Sequence, residues 1–307
     1  MRPMREEVSC QLCGQSEPDL LFVGRDLELG GDEPWPVVRC RACGFTYTSP
    51  RPGPDAIGAY YPAEYGQFTA HRALPARLAR RLEIDGRAAE IRALVPHART
   101  ALDVGCGIGE LAAGLARQGL AVRGVDPSAH AAEVARTEFG LDVKSGPLAG
   151  AGFASGSFDL ITMIHVLEHV PDPIAELEAV GRLLAPGGRL IVELPNCDSF
   201  EARLFGRYWF GWHLPRHFSH FTAATLTRAL DRAGYAVERL HYFAHPTLFV
   251  GSLTTAIAHT LAPGRKPGRW VAALRPLLKL AAAPFTFALT RVFGRPSGVM
   301  DVVARRR

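Results

Sequence analysis

Apolar positions along this chain fall into two alternating rhythms. Short, nearly continuous apolar runs at Ala101–Val104, Ala121–Asp126 and Ser157–His165 are separated by stretches whose apolar residues recur every three to four positions. The first rhythm predicts buried strands and the second predicts amphipathic helices, among them Leu111–Gln118 and the helix opened by Leu167–Pro173. Leu183–Pro195 reads as a helix end, a glycine turn and a fifth strand. Thr222–Ala233 reads as a helix, Ala236–Tyr242 as a sixth strand and Gly298–Ala304 as a seventh. An amphipathic helix from Arg72 to Leu94 leads into this series. Strands alternating with helices predict an α/β class, a doubly wound, Rossmann-like sheet of seven strands with a helical insertion before the last.

The chain has 307 residues, 48% hydrophobic and 21% charged, enough to bury a substantial core and too apolar for a mainly disordered protein. Its 31 glycines and 23 prolines show no period, which excludes collagen-like and solenoid architectures. The first twenty residues contain no apolar run of the kind that precedes a secretory cleavage site, so a cytoplasmic location is expected. The net charge of +5 is uneven: residues 246–307 carry ten Lys or Arg against the single acid Asp301, which leaves −4 on the rest. This basic stretch is also apolar. Residues 245–296 hold two apolar runs, Leu248–Leu261 and Val271–Phe293, the second interrupted by Arg275, Pro276, Lys279, Pro284 and Arg291. Neither suits a membrane span; a hairpin at the inner membrane surface fits, as does a packed helical cap or dimer interface.

Cys10-Gln-Leu-Cys13 and Cys40-Arg-Ala-Cys43 supply two pairs of thiols, each followed by a glycine (Gly14, Gly44) able to close a tight turn. Four thiolates satisfy a tetrahedral zinc ion and leave no position for water, so a structural zinc ribbon over residues 1–50 is expected; disulfides are the alternative. Thr48–Pro54 reads as a stiff connection, and residues 51–98 as linker and leading helix. Tyr60, Tyr61 and Tyr65 are expected to pack the ribbon onto the main domain, residues 99–307, with substrate contact the lesser role.

Gly105, Gly107 and Gly109 lie between the first strand and a helix, where backbone N–H groups can face a ligand. Glu110 stands where a dinucleotide fingerprint needs its third glycine. Asp103 ends the strand, and Asp126 ends the next, where a carboxylate can accept both ribose hydroxyls. The ordered runs DVGCGIG, VDPS, FDLITMIHVLEHVPDP and LLAPGGRLIVELPN, within about residues 99–196, resemble the class I S-adenosylmethionine-dependent methyltransferases. The whole chain is similar to the bacterial subgroup with an N-terminal zinc ribbon. The resemblance implies that Asp103 orients the methionine amine, that Gly105, Cys106, Gly107 and Gly109 approach the cofactor, and that Asp126 with Pro127 holds the ribose. Gly146-Pro-Leu-Ala-Gly150 lacks the acid that many relatives carry near adenine, which leaves that contact to backbone around Leu148.

A hydroxyl or carbon acceptor needs a base or a metal. His165, at the end of the fourth strand, is the first candidate base, or a hydrogen-bonded residue shaping the cofactor pocket. Glu168 and His169 resemble a metal patch of ubiquinone-biosynthesis O-methyltransferases, but His165 replaces an acid of that patch, and packing at the helix start is the expectation. Tyr208–Phe221 reads as a substrate lid in which His213, His217 and His220 with Arg216 bind an anionic head group or supply a base. No cysteine or carboxylate sits at ligand spacing among them, which argues against zinc there. The expected acceptor is a small metabolite, a saccharide or a lipid-linked molecule, methylated at O or C. An RNA methyltransferase, its ribbon and basic tail gripping phosphates, is disfavoured by a ribbon that is not strongly basic and by Ile164–Leu167 standing in place of an exocyclic-amine motif. A non-catalytic adapter is the third reading.

Overall fold

The computed structural model describes residues 4–30, 32–61, 74–243, 246–261 and 297–307, with a few single positions between 278 and 288. The N-terminal strands are β1 (Arg5–Glu6), β2 (Pro18–Gly24), β3 (Trp35–Cys40), β4 (Thr46–Thr48) and β5 (Arg51–Pro52). After helix α1 (Leu74–Leu94) come β6 (Thr100–Val104), α2 (Glu110–Arg117), β7 (Ala121–Asp126), α3 (Ala129–Phe139), β8 (Asp142–Ser145) and β9 (Phe158–Ile164). The chain continues through α4 (Pro173–Leu183), β10 (Leu184–Pro195), α5 (Phe200–Phe205), β11 (Ser219–His220) and α6 (Ala223–Arg232). It ends with β12 (Tyr235–Phe243), α7 (Pro246–Leu261) and β13 (Val299–Arg306).

Seven strands form the central sheet in the order β12-β13-β10-β9-β6-β7-β8, parallel from β10 to β8, with β13 antiparallel between β10 and β12. Leu160, Ile161 and Met163 of β9 are fully buried, as a strand covered on both faces requires, each contributing about 1.5–3 kcal/mol of burial. The helices start where local chemistry provides acceptors for their first amides. Ser128 caps α3, Asp172 caps α4 ahead of Pro173, and Thr222 with Thr225 forms a reciprocal box on α6. The glycine turn expected after Leu183 is drawn into β10 itself, as an irregularity between Leu184 and Arg189. α1 lies on α2, where Gly114 admits Ile84 and Ala88; a Cβ there would fall 2.9 Å from Ile84 Cγ2.

The N-terminal module is not closed on itself. Its sheet has the order β11-β4-β3-β2, so its fourth strand comes from the segment expected to be a lid. Cys10, Leu12, Phe45 and Tyr47 share one buried cluster with Leu226, Leu230 and Met300. The Pro-rich stretch expected to be a connector is laced in on both sides. β5 pairs with β1, Arg51 Nε donates to Glu6 at 2.8 Å, and an Arg51 terminal N–H donates to the Pro171 carbonyl at 2.9 Å. Tyr60 packs edge-on against Trp35 and its hydroxyl donates to Glu33 at 2.7 Å, both partners lying in the ribbon. Tyr65 lies outside the described residues.

α7 coincides with the first apolar run of the insertion. It is packed rather than loose: Val250 is buried, Gly251 lies against the Phe210 ring, and Phe210 N–H donates to Ser252 Oγ at 2.8 Å. This half packs on the segment that carries Phe210. Apart from single positions, the second run lies outside the described residues. Among the described residues no helix is long and apolar enough to cross a membrane.

Candidate active site

Strand order reverses between β6 and β9, and parallel sheets place their ligands at the carboxyl ends of strands flanking such a point. Asp103 lies at that end of β6, buried, accepting the Thr162 hydroxyl at 2.6 Å; burial pushes its carboxyl up to about 7. The three loop glycines have φ of 66°, 54° and 86°, but for different reasons. A Cβ on Gly105 would lie 2.5 Å from Val166 Cγ2, and one on Gly109 2.8 Å from Ala135 Cβ and Leu141 Cδ1. A Cβ on Gly107 would meet nothing within 4 Å. Gly105 and Gly109 answer to packing, and Gly107 to open space.

Asp126 accepts from Gly107 N–H at 2.7 Å through Oδ2 and from Ser128 N–H at 2.8 Å through Oδ1. It thus shapes the loop while each oxygen keeps a second lone pair for a ribose hydroxyl. Pro127 is exposed beside it. Cys106 turns its side chain into a cluster with Ala132, Ala135 and Val143, leaving only its backbone toward the crevice. Leu148 is buried in a 3₁₀ turn, Leu148–Gly150, so any ligand contact there falls to backbone.

His165 adopts φ 54° just past β9. Its Nδ1 lies 3.3 Å from Glu168 Oε1 and its Nε2 3.5 Å from Glu193 Oε1. Burial disfavours the imidazolium, but these two carboxylates override it and push His165 up to about 10. His165 thus sits hydrogen-bonded between two carboxylates at the carboxyl end of β9, a placement common to a base and to a residue that shapes the cofactor pocket. Glu193 is shared with Arg87 at 2.7 Å.

The lid contains two 3₁₀ turns, Gly206–Tyr208 and Phe210–Trp212, followed by β11. Its backbone is tied to the segment after β9: Phe218 N–H and Ser219 N–H donate to the Glu168 carbonyl at 2.8 and 3.1 Å. Arg216 is not an anion clamp for a ligand. It is fully buried and grips Asp26 with two hydrogen bonds of 2.8 Å each. His220 turns to Thr48 Oγ1 at 3.1 Å, and burial pushes it down to about 3. In its place His169 joins His213 and His217, so that one ligating atom of each lies within 4.8 Å of the others. Burial holds His169 down to about 4 and His217 well below the ordinary histidine range. His213 Nε2 contacts the Glu28 carboxylate. The sequence weighed against zinc among His213, His217 and His220; the structure groups His169, rather than His220, with the other two. The missing ligand comes from a position 44 residues upstream of His213, and no spacing rule spans that distance.

The four cysteines also come together. Cys10 Sγ is 3.5 Å from Cys43 Sγ and Cys13 Sγ 3.4 Å from Cys40 Sγ, and all four sulfurs lie within 4.8 Å of one another. Tetrahedral ZnS₄ with 2.3 Å bonds has sulfurs about 3.8 Å apart. Gly14 and Gly44, at φ 80° and 73°, close the two turns by donating to the Cys10 and Cys40 carbonyls. The arrangement is compatible with a structural zinc ion.

Two carboxylates and a glycine turn at the switch point of a doubly wound sheet define an α/β fold of the nucleotide-binding kind. A family model described as "Methyltransferase domain" matches residues 63–240, more than half of the sequence, and the chain belongs to that family. It is 41% identical over 104 residues to a ubiquinone biosynthesis O-methyltransferase of Alkalilimnicola ehrlichii, covering 32% of this chain and 42% of that protein. It is 34% identical over 157 residues to the enzyme of the same name from Xanthomonas axonopodis pv. citri, covering 47% and 66%. The matches span roughly half the length of these relatives. In fold, the chain is similar to a SAM-dependent methyltransferase from Archaeoglobus fulgidus (16% identity, 74% and 94% coverage, TM-score 0.50). It is equally similar to the [4+2]-cyclase SpnF (18% identity, 72% and 80% coverage, TM-score 0.50), so fold alone does not fix the reaction. The residues fit S-adenosylmethionine: a buried carboxylate at Asp103 for its ammonium, an open backbone face at Gly107, and Asp126 beside it.

Proposed function

We propose that this chain is an S-adenosylmethionine-dependent methyltransferase that methylates an oxygen of a small metabolite, saccharide or lipid-linked acceptor. One observation carries the reading. Residues 165–169 run from the mouth of the cofactor crevice to the lid, with Val166 against Gly105 at one end and His169 among the lid histidines at the other. The relatives named as ubiquinone biosynthesis O-methyltransferases support an oxygen of a small molecule as the acceptor.

Bound S-adenosylmethionine supplies an electrophilic methyl on a sulfonium. The methyl would pass to an ionised acceptor oxygen, which leaves no proton to be removed, and the sulfur would depart as a neutral thioether. Asp103 and Asp126 would hold the two ends of the cofactor in line. His165, between Glu168 and Glu193, would hold both carboxylates in place. A structural zinc ion held by Cys10, Cys13, Cys40 and Cys43 belongs to the same proposal.

The test incubates the purified chain with methyl-labelled S-adenosylmethionine and host extract divided into lipid, soluble-metabolite and RNA fractions. Label in the lipid or metabolite fraction, on an oxygen by product analysis, supports the reading. Nuclease-sensitive label, or no transfer to any fraction, overturns it.

A further inference from the structure

Three imidazoles from two distant segments meet under the lid, and their protonation pattern is unusual. His217 Nδ1 lies 2.9 Å from the Gly211 carbonyl, which only accepts, so its proton sits on Nδ1 and Nε2 carries a lone pair. His213 Nε2 contacts the Glu28 carboxylate and accepts from Arg216 Nε at 3.0 Å, while its Nδ1 faces His217 Nε2 at 3.3 Å. His169 Nδ1 lies 3.1 Å from the Arg216 carbonyl and 2.8 Å from the Tyr61 hydroxyl, leaving Nε2 as its ligating nitrogen. The His213–His217 pair is bridged at this distance either by one shared proton or by one cation.

We infer that His169, His213 and His217 form a three-nitrogen site for a divalent transition-metal ion, distinct from the four-cysteine site. Tetrahedral zinc with bonds of 2.0–2.1 Å to nitrogen has those nitrogens about 3.3 Å apart, the His213–His217 separation. Each ring's far nitrogen is held by a carbonyl or carboxylate, the outer arrangement that fixes metal-binding histidines. Imidazole donors select Zn²⁺, Co²⁺, Ni²⁺ or Cu²⁺ over Mg²⁺ and Ca²⁺, which prefer oxygen. Glu168 is a second, independent pointer. This carboxylate is 1% exposed, its Oε1 lies 3.9 Å from His217 Nε2, and its Oε2 has no hydrogen-bond partner among the described residues. A buried acceptor beside the cluster favours a cation there. Three protein ligands leave a tetrahedral ion one position for an oxygen. Assigning that oxygen to the methyl acceptor rests on the proposed function; the metal site does not.

The test counts metal in the full-length protein after equilibration with Zn²⁺ and removal of unbound ion, then repeats the loading with Co²⁺ and reads absorbance. Two ions per chain are expected: one with thiolate-to-cobalt charge transfer, and one with only the visible bands of a nitrogen- and oxygen-bound ion. His213→Ala/His217→Ala loses the second ion and keeps the first, while His220→Ala keeps both. Glu28→Gln leaves all three ligands in place and weakens the second ion about 10–100-fold. A single thiolate-bound ion in the unaltered chain overturns the site, as does retention of both ions by the double variant. If the double variant loses its native circular dichroism, the Glu28→Gln affinity decides, and an unchanged value refutes the site. Metal counting needs no methyl transfer, so this result and that of the extract-labelling experiment fail separately.

Discussion

Gly107 and Gly109 have nearly the same backbone demand and opposite surroundings, so the same substitution should fail in two different ways. Both sit at positive φ, 54° and 86°, where an alanine costs roughly 1–2 kcal/mol relative to glycine. For Gly107→Ala that is the whole stability cost, because its Cβ meets nothing within 4 Å. Gly109→Ala in addition drives its methyl to 2.8 Å from both Ala135 Cβ and Leu141 Cδ1, and to 3.3 Å from Ala135 Cα. Overpacking of this kind adds about 1–3 kcal/mol, for a total of about 2–5 kcal/mol. Binding reverses the order. The Gly107 methyl occupies the open face of the loop, and losing one close backbone approach there, at about 1.4 kcal/mol or more, weakens S-adenosylmethionine at least tenfold. Gly109→Ala keeps that face and binds within a fewfold of the parent at temperatures where it is folded. Urea unfolding gives the first quantity and titration calorimetry the second. If Gly107→Ala destabilises as much as Gly109→Ala and binds normally, the assignment of one glycine to the ligand and the other to packing is wrong.

Three further outcomes follow from the buried charges. Arg216→Leu leaves Asp26 buried without its bidentate partner, and urea unfolding should show a loss of about 3–5 kcal/mol; Arg216→Leu with Asp26→Leu should recover part of it. Asp103 must be ionised to hold an ammonium, and its carboxyl sits at about 7 in the free chain. S-adenosylmethionine affinity should therefore drop about fivefold from pH 7 to 6 and close to tenfold for the next unit, a dependence absent in Asp103→Asn. His165 is raised to about 10 by folding, so the stability it contributes is fully present below about pH 6.5 and is lost as pH rises toward 10. The stability difference between the parent and His165→Gln should shrink across that window, and a constant difference would contradict the paired-cation assignment.

The strand and helix succession was legible because burial on both faces leaves continuous apolar runs, as in β9, whereas α3 and its Ser128 cap were not singled out. The cofactor crevice was legible for the same local reason: Asp103, the three glycines and Asp126 lie within 24 residues, on two neighbouring strands. What stayed hidden depends on partners far apart in the chain. Arg216 and Asp26 are separated by 190 residues, and nothing in either neighbourhood marks them as a pair. The charge on His165 is set by Glu193 across the β9–β10 pairing, not only by the nearby Glu168. Thr48–Pro54 has the composition of a connector, yet Arg51 is bonded both to the N-terminal strand and to the segment after β9. Glycine spacing, likewise, did not distinguish the ligand-facing Gly107 from its packed neighbours.

The pairing of β4 with β11 also has a consequence for synthesis. Tyr47 and Thr46 wait for Ser219 and His220, which leave the ribosome more than 170 codons later. At about 5–20 residues per second, that interval is roughly 9–34 seconds. Throughout it β4 is a bare edge, able to template pairing with another nascent chain. All four thiols are translated by Cys43, so an ion captured there would brace the turns of the half-built sheet well before its last strand exists.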